Sequence, residues 1–356
     1  SYTSYGQGAA SGQENGLPSP SIKTVDKGAD GYTTTTLGPA YGYWAGGTSS
    51  SPSGVTTIDR VDFSNDTGTA SPKGNLIASR YKHAAVSSIN HAYMALGSPY
   101  PQTTNIGRID YADDTATVLN KGTMGPTYVD ATGVGTKDYG YFCGGLPVST
   151  VQRIDYANDT ATAAAKGPLS AARRYLCGVG NRSYGYLSGG TPGPGYMSTV
   201  DRIDYSSDTS TATVRGALPF ALLSAGATGN ADYGYTCAGF NIAPGNNNFI
   251  STVTRIDYSN DSASPSPKGN LTQARKTKST GSTSYGWSGG GSDLNHAAQS
   301  TVDRIDFAND TATAAPKGPL SIIHKNHAAA SGQQNNMGSP TFIPRIRWVD
   351  SVAEVP

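Results

Sequence analysis

Read as a string of apolar and polar letters, the chain has one dominant rhythm. STVDRIDY, from Ser198, runs with period two, so that Val200, Arg202 and Asp204 share one face of a strand and Asp201, Ile203 and Tyr205 the other. Close copies occur around TTIDRVDF from Thr56, NIGRIDY from Asn105, STVQRIDY from Ser149, STVTRIDY from Ser251 and STVDRIDF from Ser300. Their arginines stand at 60, 108, 153, 202, 255 and 304, which are intervals of 48, 45, 49, 53 and 49 residues. A weaker seventh copy, PRIRWVDSVAEVP, starts at Pro344.

A second string precedes each clear copy: YGYWAGG from Tyr41, HAYMALG from His91, YGYFCGG from Tyr139, YGYLSGG from Tyr184, YGYTCAG from Tyr233 and YGWSGGG from Tyr285. Each unit therefore predicts four short strands. A small-residue stretch such as YLCGVGNRS from Tyr175 comes first, then YGYxxGG, then VDRIDY, then TATAAP. The Gly-Gly pair releases the chain into a loop, and Asn-Asp or Ser-Asp supplies the turn between the last two strands. Periods near 50 residues mean stacked or radially arranged units.

In these units Gly189-Gly190 and Val200-Asp201-Arg202-Ile203-Asp204 match the pattern of the kelch repeat, which the chain resembles over about residues 31–349. The resemblance implies an all-β fold, a kelch-like β-propeller of four-stranded blades around a central channel. One departure stands out. The tryptophan usual in the fourth strand is replaced by Ala161, Ala312 or Gly68, which implies thinner packing. Six full units and the C-terminal fragment give seven blades as the first count, with six and eight left open. In that reading residues 1–30 are an N-terminal arm that completes the last blade, 31–325 hold six blades, and 326–356 are a partial blade and the closure. SYGQGAASG from Ser4, similar to SYGWSGGGS from Ser284, supports such a closure.

The YGYxxGG and RIDYxNDTAT strings are also similar to repeats in virion proteins of marine bacteriophages, cyanophages above all. This implies a structural and attachment module in a tail, fibre or surface decoration, on an extracellular particle. Its partners would be other structural proteins of the particle or a host-surface protein or glycan, with homo-oligomerisation open. The alternative is a soluble or cell-surface protein-binding propeller outside any virus.

Composition agrees with a chain of strands and turns: Gly 45, Pro 21, and 14% charged residues. Lys plus Arg is 26 against 25 for Asp plus Glu, so no global field favours nucleic acid. No run approaches the ~20 apolar residues of a membrane span. The polar opening SYTSYGQG predicts either no signal-directed export or a leader already removed. Cys143, Cys177 and Cys237, odd in number and without CxxC spacing, read as buried thiols.

Candidate chemistry is sparse. Each repeat arginine travels with an aspartate two residues on, as in Arg153 and Asp155, which predicts structural Arg-Asp pairs within or between blades. The turn aspartates Asp66, Asp114, Asp159, Asp208, Asp261 and Asp310 read as turn caps, not calcium ligands. The absence of a phosphate loop, zinc spacing, GxSxG elbow or isolated carboxylate pair predicts a non-enzymatic protein without a cofactor. Recognition is expected in the loops that vary. Arg80, Lys82, Arg173, Arg174, Arg275, Lys276 and Lys278 precede the inner strands and form a candidate basic collar for anionic ligands, while Tyr100, Tyr196 and Phe249 offer aromatic faces in variable loops.

Overall fold

A computed structural model describes residues 22–28, 31–49, 54–98, 104–243, 246–334 and 339–344. Six antiparallel blades follow one another along the chain. Blade 2 comprises Ala84–Ser87, His91–Ala95, Asn105–Asp110 and Leu119–Thr123; blade 3, Thr132–Gly135, Tyr139–Cys143, Val151–Asp155 and Ala164–Lys166. Blade 4 comprises Cys177–Gly180, Tyr184–Ser188, Val200–Asp204 and Thr213–Arg215. Blade 5 has Gly226–Gly229 innermost and a long hairpin, Tyr233–Ala243 with Asn246–Asp257, before Ser266–Asn270; Ala221–Leu223 also pairs with that hairpin. Blade 6 comprises Lys276–Gly281, Tyr285–Ser292, Ala298–Asp306 and Ala315–Lys317.

Blade 1 is built from both ends of the sequence. Tyr41–Ala45, Ile58–Asp62 and Ser71–Pro72 supply three strands, and Ala328–Ala330 pairs with Tyr41–Ala45 as the innermost fourth. Neighbouring inner strands touch in cyclic order through all six blades, so the ring is closed. Six is one of the counts the repeats left open. A seventh blade is not needed, because Ala328–Ala330 fills the inner slot that Tyr41 would otherwise leave exposed. SYGQGAASG from Ser4 and the seventh repeat beyond Pro344 lie outside the described residues, while Ile22–Gly28, Gly31–Thr36 and Ser339–Pro344 form a separate three-stranded sheet.

The apolar core is divided into six clusters, each at a seam between two blades. Tyr141, Val151 and Leu176 meet Leu187 and Ile203 between blades 3 and 4, and Trp44 and Val61 meet Trp287 and Val302 where blade 6 meets blade 1. Neighbouring blades approach closely, which explains the glycine after the repeat lysine or, in blade 4, after Arg215. A Cβ on Gly167 would lie 1.9 Å from the Ser210 carbonyl oxygen of the next blade, and Gly74, Gly122, Gly216, Gly269 and Gly318 are equally crowded. The three cysteines are free and buried.

Candidate functional site

The repeated charges come first, because their placement decides what is left for function. Arg60, Arg108, Arg153, Arg202, Arg255 and Arg304 each donate across a seam to the turn aspartate of the following blade, Asp114, Asp159, Asp208, Asp261, Asp310 and Asp66, at 2.7–3.0 Å. The expected Arg-Asp pairs therefore run between blades, and the partner is not the aspartate two residues on. That aspartate caps its own turn instead: Asp155 accepts from the Ala157 amide at 2.9 Å, and Asp204 from Ser206 at 2.9 Å. The turn aspartates, expected to cap, face the neighbour.

Several other consensus residues join the same contact. The second tyrosine of YGY, or Trp287, donates to the turn aspartate, as Tyr141 does to Asp208 at 2.9 Å and Trp287 Nε1 to Asp66 at 2.9 Å. The repeat lysine approaches its other oxygen, Lys166 at 3.1 Å from Asp208. The Gly167 amide donates to the Asp208 carbonyl at 2.8 Å. Aromatic rings stack over the seam, Tyr141 on Tyr205 with centroids 5.0 Å apart, and the Arg153 guanidinium lies 4.2 Å above Tyr139. Burial first, and then hydrogen bonding to Asp208, pushes the Tyr141 hydroxyl above its usual range, so it stays a proton donor.

The candidate collar divides. Arg173 and Arg275 are fully buried and not available to a ligand. Arg173 pairs with Asp201 at 3.0 Å and donates to the Leu187 carbonyl; Arg275 pairs with Asp303 at 2.8 Å and donates to Ser288 and Gly290. Arg80 turns inward to the carbonyls of Met94 and Asn105, at 3.2 and 3.4 Å. Arg174 lies 5.0 Å from the Tyr175 ring. Tyr196 is half exposed on its loop, and Tyr100 lies outside the described residues. Phe249 is buried, edge-on to Phe240 at 5.1 Å and His296 at 5.5 Å, so it covers the base of its hairpin instead of facing solvent.

Lys82, Lys276 and Lys278 do come together. With Lys325, Asp130 and Tyr175 they line a concavity of ≈ 470 Å³ at one end of the central channel. It opens on the face that carries the Gly-Gly loops and the connections between blades. A second space of ≈ 410 Å³, sharing His83, Ala131 and Lys278, continues down the channel between small residues such as Ala84, Gly133 and Ala227.

The rim of this mouth is held by the backbone. Lys82, Asp130, Tyr175, Ser224 and Asn326 each stand two residues before an inner strand with φ of 53–62°. Amide donors run from one to the next around the ring: Lys82 to Asn326, Asp130 to Lys82, Tyr175 to Asp130 and Ser224 to Tyr175, at 2.6–3.0 Å. A left-handed non-glycine residue is costly, and these five persist because each is fixed by its neighbour. Blade 6 departs from the series with a bulge between Lys276 and Lys278, and contributes two lysines.

Charge at the mouth is unbalanced. Lys82 is 3.7 Å from Asp130, while Lys276, Lys278 and Lys325 have no salt-bridge partner among the described residues. Burial lowers the Lys276 and Lys278 ammonium pKa, and Lys82 and Lys325 add to the effect on Lys276. Lys276 is held by aromatic faces, 5.6 Å from Phe249 and 5.7 Å from Phe240. The Asp130 carboxyl is raised by burial, against the pull of Lys82.

Asp130 and Tyr175 were not among the residues singled out from sequence. Their signal was positional: a fixed offset before each inner strand, with unrelated letters in each unit. Among the described residues no three His, Cys, Asp or Glu side chains are grouped to hold a metal, and no helix is long and apolar enough to cross a membrane.

No family model matches the chain, and no curated protein does, so the kelch-like reading rests on the repeat itself. Among solved structures, one described as "Structure of YjhT" superposes with a TM-score of 0.61 at 11% identity, over 86% of this chain and 99% of that one. At that identity the likeness shows the fold alone, and the fold is a β-propeller, here of six blades.

Proposed function

We propose that the chain is a non-enzymatic binding and attachment module, a rigid propeller that recognises its partner through the Gly-Gly-loop face and is carried on a phage particle. One observation carries the reading: the two faces of the ring differ in kind. The face of the Asn-Asp turns repeats six nearly identical turns whose aspartates are committed to the neighbouring blade. On the opposite face the loops differ in length and chemistry, as in TPGPGYMST from Thr191, FNIAPGNNNFI from Phe240 and GSDLNHAAQ from Gly291. Variable loops on a rigid frame are where recognition is placed in many folds. The virion setting is supported by the resemblance of the repeats to marine phage virion proteins. A host-surface protein or glycan, or a neighbouring virion protein, is the partner this reading expects.

Immunogold labelling of phage particles from the native source tests the setting. Label on tails or capsid surfaces is the expected result; label confined to cell surfaces or soluble fractions would favour a propeller outside any virus. A broad oxidase and glycosidase screen tests the non-enzymatic part, and reproducible turnover would overturn it.

A further inference from the structure

We propose that the channel mouth binds a compact anionic group, a carboxylate, sulfate or phosphate, carried by a small molecule or by the tip of a saccharide; this rests on reading the chain as a binding module. Four lysines converge there against one aspartate. They arrive from separate parts of the ring: Lys82 before blade 2, Lys276 and Lys278 in blade 6, and Lys325 before the closing strand. Like charges brought together at a partly desolvated site destabilise the empty protein, so such an arrangement contributes only when an anion completes it.

Lys278 makes the strongest case. It is the first paired residue after the bulge in the inner strand of its blade, opposite Gly289. The equivalent residue elsewhere is Ala84, Thr132, Cys177, Gly226 or Ala328, opposite Ala95, Cys143, Ser188, Cys237 and Ala45. Five blades therefore place a small, uncharged side chain where the sixth places an ammonium. Packing does not call for it, since five neighbours manage without, and the one carboxylate that acts on it, Asp130, is already the ion-pair partner of Lys82. The Ser224 and Asn326 side chains and Tyr175 also line the concavity and can complete the polar contacts. The concavity is open on one side, so a small anionic group can reach the lysines directly from solvent.

Calorimetric titration at low ionic strength tests this with four probes: inorganic sulfate, inorganic phosphate, glucuronate and, as a neutral control, glucose. At least one anion should bind and glucose should not. Binding of the inorganic ions points to a free anion as the ligand, and preference for glucuronate points to a saccharide. The double variant K276Q/K278Q should weaken binding by about tenfold or more, while melting at or above the wild-type temperature without ligand, because repulsion is relieved. K325Q, which removes an ammonium that otherwise donates to the exposed His296 carbonyl, should weaken binding with the fold intact should the double variant not fold. No heat from any anion up to about 10 mM, or unchanged affinity in folded variants, would overturn the proposal. Anion binding by a protein that attaches to no surface would sink the attachment reading and leave this one standing.

Discussion

Arg153 Nη1 lies 2.7 Å from Asp208 Oδ2, fifty-five positions away and in the next blade, although Asp155 sits two residues along its own strand. The same step is taken six times, and the sixth, from Arg304 to Asp66 at 3.0 Å, spans the closure of the ring. Ring closure thus uses the same side-chain contact as every internal seam, in addition to the backbone pairing of Ala328–Ala330.

The turn aspartate should matter more than its arginine. Asp208 accepts from Arg153, Tyr141 and Lys166, so Asp208→Ala leaves three donors without their acceptor, whereas Arg153→Ala leaves Asp208 with two partners. Because Arg153 is about a quarter exposed, solvent screens part of the loss. Urea unfolding is expected to show a cost of about 2–3 kcal/mol for Asp208→Ala and about 1–2 for Arg153→Ala. Equal effects would remove the aspartate from the centre of the contact.

Gly167→Ala tests the close approach of blades 3 and 4. The new methyl would sit 1.9 Å from a backbone carbonyl oxygen, which cannot turn away as a side chain could. A loss of about 1–3 kcal/mol is expected, while the same substitution at Gly68, where a Cβ meets nothing within 4 Å, should be near neutral. A neutral Gly167→Ala in thermal melts would mean the seam is looser than described.

Arg173→Ala and Arg275→Ala should act as stability variants. Each removal strands a fully buried aspartate, Asp201 or Asp303, at a cost of about 3–5 kcal/mol. Any folded fraction should bind partners normally. A folded protein of normal stability with a specific binding defect would return these arginines to the recognition surface.

Stability should fall in mild acid. Burial holds His83 and His327 well below the usual histidine pKa in the folded protein, and nearby cations, Arg80 and Lys278 for His83, act in the same direction. The unfolded chain therefore takes up protons first as pH drops below about 6.5, so stability is full above that value and declines beneath it. Melting temperature should decrease from pH 7 to pH 5, and His327→Gln should flatten the slope. A flat wild-type profile would mean that these rings titrate alike in both states.

Much of the ring was legible in the sequence because its signals are local. Period two in VDRIDY, the Gly-Gly release and the six-fold recurrence all follow from strand geometry within one unit. The partner of Arg153 was not, because Asp155 and Asp208 are equally present in every copy and only the assembled ring decides between them. Internal variation held a further clue: Arg173 and Arg275 occur where Asp201 and Asp303 do, while blade 3, with Gln152 in place of the aspartate, has Tyr128 in place of the arginine, and the Gln152 side chain bonds to Gly125 and Pro126 instead. The mouth was half legible. Lys82, Lys276 and Lys278 stood out by charge, but Asp130 and Tyr175 share only a backbone conformation with their counterparts, and composition carries no trace of that.

The central claim is that the repeated letters clasp each blade to the next, and a double-mutant cycle tests it directly. Coupling between Arg153→Ala and Asp208→Ala, measured by urea unfolding, should be about 1–2 kcal/mol, and coupling between Arg153→Ala and Asp155→Ala should vanish within error. Strong coupling of Arg153 to Asp155, with none to Asp208, would contradict the account.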